Sequence, residues 1–229
     1  MAKFHFVEDY QKLVKSLIRN SATMDEAMSK AVGGDYDKVG QIERDILLYA
    51  GLKEGMSVVD YGCGSGRLAH ALSSLFSIDY VGIDVVDELL SYAATKSASH
   101  YKFIKHHALN VPLESDSVNL VCAFSLFTHL LHHETFMYLE DMKRVLKKDG
   151  IIVFSFLEFA LPGHWSVFTS TIETQKQSAL PHLNMFIEKS VIEVWARHLG
   201  LTVVELIDGN DMKFNGNALG QSIAILRKS

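Results

Sequence analysis

The chain has 229 residues, 48% hydrophobic and 21% charged, with a net charge of −5. That balance fits one folded globular domain and excludes a disordered chain. The acidic excess argues against a broad surface for nucleic-acid phosphates. Two cysteines, Cys63 and Cys122, form no disulfide framework and point to the reducing cytosol, so a cytoplasmic protein is expected. Met1 to Phe6 is followed by Glu8 and Asp9, so no secretory apolar core is expected. The apolar run Ile151 to Leu157 is too short to span a bilayer, and no membrane partner is expected.

In chain order, Val7, Tyr10, Val14, Leu17 and Ile18 share one face at helical spacing and predict an amphipathic helix over 7–19. Residues 21–40 hold Gly33-Gly34-Asp35 and Gly40 and read as loop. A second helix is expected over 41–50, with Ile42, Ile46, Leu47 and Ala50 inward. From Ser57 onward short apolar strands alternate with helices. Strands are expected at 57–61, 79–84, 101–105, 118–124 and 151–157, and helices at 66–76, 87–95 and 134–147. Runs such as Ile151-Ile152-Val153-Phe154 require burial on both faces, as in a parallel sheet flanked by helices.

Lys147-Lys148-Asp149-Gly150 reads as a helix stop, with cations at the negative end. Residues 158–189 contain Pro162, Gly163, Trp165 and Pro181, show no strand pattern, and read as an insertion over the site. Ser190-Val191-Ile192-Glu193 predicts a capping box opening a helix to about His198, stopped at Gly200. Strands at 201–207 and 222–227 read as an antiparallel hairpin at one end of the sheet. The fold expected is α/β: a Rossmann-like, doubly wound, mostly parallel seven-stranded sheet with a C-terminal antiparallel hairpin strand. One domain, 1–229, divides into a helical cap (1–50), a cofactor-binding core (51–157), an inserted substrate cap (158–189) and a C-terminal helix and hairpin (190–229).

The chemistry concentrates at Val58-Val59-Asp60-Tyr61-Gly62-Cys63-Gly64-Ser65-Gly66. A glycine turn that leaves a strand and opens a helix lets backbone approach a ligand and presents free N–H groups. A dinucleotide fingerprint needs G-x-G-x-x-G. Here the spacing is G-x-G-x-G, and Arg67 stands where that fingerprint wants glycine. Asp60 beside the turn would repel a pyrophosphate and suits a ligand carrying an ammonium and a sulfonium. Asp84, closing Tyr80-Val81-Gly82-Ile83-Asp84, sits where a carboxylate accepts hydrogen bonds from a ribose diol. Asp87 is a lesser candidate, equally an N-cap.

The segment resembles motif I (D-x-G-x-G-x-G) of class I S-adenosylmethionine-dependent methyltransferases, with further likeness over most of residues 33–229. The resemblance implies S-adenosylmethionine as cofactor, held by Asp60, Tyr61, Gly62, Cys63, Gly64, Gly66 and Asp84. In Lys105-His106-His107-Ala108-Leu109-Asn110-Val111-Pro112-Leu113 the family's acidic adenine ligand aligns with His107, a departure, and backbone at Ala108 and Leu109 is the other adenine contact. In Ala123-Phe124-Ser125-Leu126-Phe127-Thr128-His129-Leu130, Phe124 and Ser125 are implied against the methionine end of the cofactor. The N/D-P-P-Y/F tetrapeptide of enzymes that methylate nucleic-acid amines is absent, which argues against such substrates.

His129, His132 and His133 fall at i, i+3 and i+4. Such spacing is open to a metal, but no carboxylate reinforces it, and no metal is expected. His129, nearest the strand tip, is the candidate base for an acceptor hydroxyl. Phe159, Leu161, His164, Trp165 and Phe168 form an aromatic-rich stretch, with His164 and Trp165 the candidate substrate contacts. The same residues would serve equally as core or as the interface of a homodimer. The activity expected is methyl transfer to an oxygen or nitrogen of a small-molecule acceptor. A nicotinamide oxidoreductase and a non-catalytic binder of S-adenosylmethionine are the alternatives.

Overall fold

The computed structural model describes residues 7–75, 77–177 and 183–229. Pro181 and Phe76, the end of the helix expected over 66–76, lie outside the described residues. The elements run α1 (Val7–Asn20), α2 (Met24–Val32), α3 (Tyr36–Ala50), β1 (Ser57–Tyr61), α4 (Arg67–Leu72), β2 (Asp79–Asp84), α5 (Asp87–Lys96), β3 (Lys102–Lys105) and β4 (Val118–Ala123). A 3-10 turn (Phe127–His129), α6 (His132–Val145), β5 (Leu146–Phe156), α7 (Pro162–Lys176), α8 (Lys189–Leu199), β6 (Leu201–Ile207) and β7 (Ser222–Lys228) follow.

The sheet order is β3-β2-β1-β4-β5-β7-β6. The five strands β1 to β5 are mutually parallel, and β7 is antiparallel to both β5 and β6. The reversed hairpin strand is therefore not at the sheet edge: β7 lies between β5 and β6, so β6 forms the edge. The order reverses at β1 and β4, the switch point whose crevice binds ligands in doubly wound sheets.

Alternation along each central strand divides the core in two. Val59, Val121, Ile152 and Phe154 face α6 and α8, in a cluster with Leu139, Met142, Ile192 and Leu199. Val58, Leu120 and Val153 face α3 and α4, with Ile46, Leu47, Leu68 and Leu72. Each of these fully buried aliphatic side chains contributes about 1.5–3 kcal/mol relative to exposure. A smaller cluster, Val14, Met28, Val86 and Leu89, fastens α1 and α2 onto the start of α5.

Three expectations are corrected. Residues 21–40 are not loop: they hold α2, whose N-cap Thr23 accepts from Glu26 N–H, and the first turn of α3, capped by Asp35. Lys147 to Gly150 do not stop a helix. α6 ends at Val145, and Leu146 already pairs with Val118 in β5. The register shifts between Val118 and Leu120, and Asp149 takes φ 61°. A Cβ on Gly150 would lie 2.8 Å from the Lys147 carbonyl, so glycine there serves a bulge. Residues 158–189 contain a fifteen-residue helix, α7, with proline in its first turn. α8 starts one residue before the expected capping box, at Lys189, and its N-cap Glu188 instead accepts from Phe159 N–H. Among the described residues, no helix is long and apolar enough to cross a membrane.

Candidate active site

The chain leaves β1 through a bend that only glycine allows. Gly62, Gly64 and Gly66 have φ of 80°, 54° and 81°, where L side chains are strained. Space forbids a side chain as well. A Cβ on Gly64 would lie 2.6 Å from Val32 Cγ1, and one on Gly66 2.5 Å from Ala93 Cβ. Gly62 and Cys63 both donate their N–H to the Ile83 carbonyl, tying the bend to the end of β2. α4 then opens at Arg67.

Two carboxylates flank the bend. Asp60 is buried; the Tyr80 hydroxyl donates to it at 2.6 Å, and the Cys122 thiol lies at 3.7 Å. Burial pushes its carboxyl up to about 7, although the Tyr80 hydrogen bond opposes the shift and the nearby Glu43 charge adds to it. Asp84 accepts from the N–H groups of Gly64 (2.9 Å), Val85 (2.7 Å) and Val86 (3.0 Å). Burial raises its carboxyl too, against those three hydrogen bonds. A carboxylate has about four acceptor sites, so about one remains for a ligand.

Behind them lies a buried ion pair. Arg67 donates from Nε (2.8 Å) to Glu43 Oε1, with Nη2 2.6 Å from the same oxygen, and from Nη1 to the carbonyls of Val32 (3.1 Å) and Gly33 (3.0 Å). Burial raises the Glu43 carboxyl, and the guanidinium counters it. This pair joins α3 and the end of α2 to the start of α4.

The bend opens into a cavity of about 1230 Å³, its mouth included. Asp60, Tyr61, Gly62, Cys63, Gly64, Asp84, Phe124, Ser125 and His129 line it, all anticipated from sequence. Gly66 does not line it; that glycine serves the contact with α5. His107 is exposed and outside the lining, and the imidazole at the cavity is that of His106, whose Nε2 lies 2.9 Å from Asn110 Oδ1. Ala108 and Leu109 also stay outside the lining. The Ala108 carbonyl instead accepts from the hydroxyls of Tyr61 (3.3 Å) and Tyr138 (3.1 Å). Burial pushes the Tyr138 phenol up to about 12.

Sequence reasoning missed Glu43, Arg67, Glu134, Tyr138 and Leu183 as lining residues, and took Tyr10 for core. Tyr10 and Val7 carried a helical signal but none for which side of the helix would meet the cavity. Nothing local marks Glu43 and Arg67, 24 residues apart, as a pair.

Past Ala123 the chain turns sharply: Ser125 has φ 55°, unusual for a residue with a side chain. A ring of hydrogen bonds holds it. Ser125 N–H donates to Ser155 Oγ (2.7 Å), Ser155 Oγ to Gln221 Oε1 (2.6 Å), and Gln221 Nε2 to Ser125 Oγ (3.1 Å). His129 ends the 3-10 turn and its Nδ1 lies 2.8 Å from the Leu183 carbonyl. His132 begins α6 and meets the Phe186 carbonyl at 2.9 Å, so the three histidines do not share one helical face.

The two substrate candidates lie elsewhere. His164 is buried outside this cavity: Glu158 N–H donates to its Nδ1 (3.0 Å), and its Nε2–H donates to the Gly220 carbonyl (2.9 Å). Trp165 is 49% exposed and packs with Phe159 and Phe168 at the surface, away from the cavity.

Residues 58–150, from β1 into the β5 bulge, match the methyltransferase-domain family. An uncharacterized protein of Methanocaldococcus jannaschii is 29% identical over 153 residues, 67% of this chain and 52% of that protein. A sterol 24-C-methyltransferase of Pneumocystis carinii is 30% identical over 132 residues, 56% of this chain and 33% of that protein. The chain thus spans about a third to a half of the length of the curated relatives it matches. Magnesium protoporphyrin IX methyltransferase of Synechocystis, solved with bound S-adenosylhomocysteine, shares the fold with a TM-score of 0.68. The identity there is 13%, over 98% of this chain and 96% of that one. Residues 58–150 thus carry a methyltransferase domain. S-adenosylmethionine is the cofactor of that domain.

Proposed function

We propose that this chain is an enzyme that transfers the methyl group of S-adenosylmethionine to an oxygen or nitrogen of a small-molecule acceptor. The observation that carries the reading is the glycine bend bounded by two buried carboxylates, a cradle that a single Cβ would fill. That donor set fits the cofactor. Asp60 in its ionised form attracts an ammonium, Asp84 has acceptor capacity for a ribose hydroxyl, and Gly62, Cys63 and Gly64 bring backbone to the ligand. Tyr61 and His106, which line the cavity, are assigned to the adenine end, and Phe124 and Ser125 to the methionine end. When bound, the cofactor supplies a methyl group activated by the sulfonium.

The chain's own task is to align the acceptor, exclude water and accept a proton. His129 lines the cavity with its Nδ1 2.8 Å from the Leu183 carbonyl, and an imidazole placed there can take a proton. His129 is therefore assigned as the base for a hydroxyl acceptor; an amine acceptor needs none. The chain acts as one domain, residues 1–50 and 158–189 capping the core. It works in the cytosol, consistent with two buried free thiols, without a nucleic-acid or membrane partner. A homodimer would cover the exposed Phe159–Trp165 face.

The test is calorimetry with S-adenosylhomocysteine and with NADH, followed by transfer of labelled methyl to an acceptor panel. S-adenosylhomocysteine is expected to bind and NADH not to. The reverse outcome overturns the reading, and cofactor binding without turnover on any acceptor would make the chain a non-catalytic binder.

A further inference from the structure

A second hollow opens on the same edge of the sheet, about 690 Å³ with its mouth, between α7, residues 183–186 and the start of β7. We propose that this cleft is the acceptor chamber and that it selects an uncharged molecule carrying a hydrogen-bonding group on an apolar body. The proposal rests on the methyl-transfer reading and deepens it.

The two hollows share a wall. His129 lines both, and the Ser125–Ser155–Gln221 ring joins a residue of the first to one of the second. Thr128, also in the second lining, donates to the Ser125 carbonyl at 3.1 Å. His129 is therefore the residue that an acceptor in the cleft and a ligand in the first cavity both meet.

The chemistry of the lining sets the class of molecule. It contains no Asp, Glu, Lys or Arg among the described residues. Glu158, next to the lining residue Leu157, is answered outside the cleft by Ser222 (2.5 Å) and Lys189 (3.8 Å). His164 lines the cleft with both ring nitrogens engaged, Nδ1 3.0 Å from Glu158 N and Nε2 2.9 Å from the Gly220 carbonyl. Leu157, Val167 and Leu219 supply apolar surface. Two polar functions remain. Asn184 donates through Nδ2 to Thr171 (3.0 Å), which turns its Oδ1 to accept. Gln221 uses one Nε2 hydrogen on Ser125, and its second is a donor. An ion entering this cleft would lose hydration and gain no counter-charge. A neutral hydroxyl or amide would find both a donor and an acceptor.

Methyl-resolved NMR of the protein saturated with S-adenosylhomocysteine tests this, with phenol, benzoate and benzylamine as single-ring probes of similar size and three charges. Phenol is expected to shift the methyls of Leu157, Val167 and Leu219, and the two ions to bind at least about tenfold more weakly. Val167→Trp fills the cleft. It should weaken phenol by about tenfold or more while S-adenosylhomocysteine affinity stays within about twofold. Gln221→Leu keeps the volume and should weaken phenol about fivefold through the lost donor, so the proposal is tested even if the tryptophan variant does not fold. Equal binding of the ions overturns the proposal. So does a phenol response confined to Val7, Leu126 and Leu130 of the first cavity, or phenol affinity unchanged in both variants. Failure of S-adenosylhomocysteine to bind at all instead strikes the methyl-transfer reading itself.

Discussion

The first cavity is framed by Glu43, Arg67, Asp60 and Asp84, while the second cleft presents amides, hydroxyls and aliphatic carbons. In the first, the carboxylates are already engaged: Glu43 by a guanidinium, Asp60 by a phenol, Asp84 by three amide N–H groups and Glu134 by the Leu131 N–H. Such a chamber suits one fixed, charged ligand, because its polar groups are oriented before anything arrives. In the second, fewer groups are committed and the described lining holds no Asp, Glu, Lys or Arg, so it discriminates by exclusion. One domain thus uses two kinds of specificity a single histidine apart.

The contrast can be broken from the charged side first. Arg67→Leu leaves Glu43 buried without its partner and should cost about 3–5 kcal/mol of stability. Guanidinium unfolding measures it, and a loss under about 1 kcal/mol would mean that the pair does not hold α3 to α4. Asp84→Ala removes the acceptor proposed for ribose and frees three buried N–H groups. S-adenosylhomocysteine should bind about 100-fold more weakly, the effect of losing one or two charge-assisted hydrogen bonds; unchanged affinity in calorimetry would refute the ribose assignment.

A smaller effect comes from pH. The Asp60 carboxyl is raised from its usual range to about 7 in the folded chain. The folded state then holds a proton that the unfolded state has released, so the Asp60 contribution to stability is full below about pH 4. It is lost as pH rises through about 7. Ligand affinity should run the other way. An ammonium prefers the ionised carboxylate, so S-adenosylhomocysteine should bind about tenfold more tightly at pH 8 than at pH 6, with proton release near pH 6. Asp60→Asn should flatten that dependence; a profile equally steep in this variant assigns the proton elsewhere. The smallest effect tests the shared wall. Ser155→Ala breaks the ring around Ser125 and should cost about 1–2 kcal/mol by thermal unfolding, with Asp84 and the glycine bend unaffected. A stability equal to that of the parent would show that Ser125 keeps its left-handed turn unaided.

The sequence made the first cavity far more legible than the second. Strands β1, β2 and β6 fall on the expected residues because near-continuous apolar runs are bounded by turn chemistry at both ends. The bend, Asp60 and Asp84 are close in sequence and obey one spacing rule, so they could be read together. α2 was hidden by the glycines after it, although Thr23-Met24-Asp25-Glu26 has the capping-box sequence, with Thr23 Oγ1 accepting from Glu26 N–H and the Glu26 carboxylate from Ala22 N–H. β5 begins early because pairing of Leu146 with Val118 outweighs the helix propensity of two lysines. The assignment of His107 failed by one residue, since a loop has no period to fix which imidazole turns inward. In the second cleft only His129 and His164 were marked from sequence: its residues come from segments near 128, 157, 164, 184 and 220, and only tertiary packing gathers them.

The reversed strand sets an order of assembly. β7 runs opposite to its neighbours, so its beginning meets the ends of β4 and β5, and Gln221 reaches Ser125 across 96 positions of chain. A nascent polypeptide emerges from its first residue onward. β1, which leads into the glycine bend, can pair with β2 and β4 while β7 is still unmade, and β6 has no partner until β7 slots in beside β5. During synthesis, the donor chamber is therefore able to form before the wall that it shares with the cleft is complete.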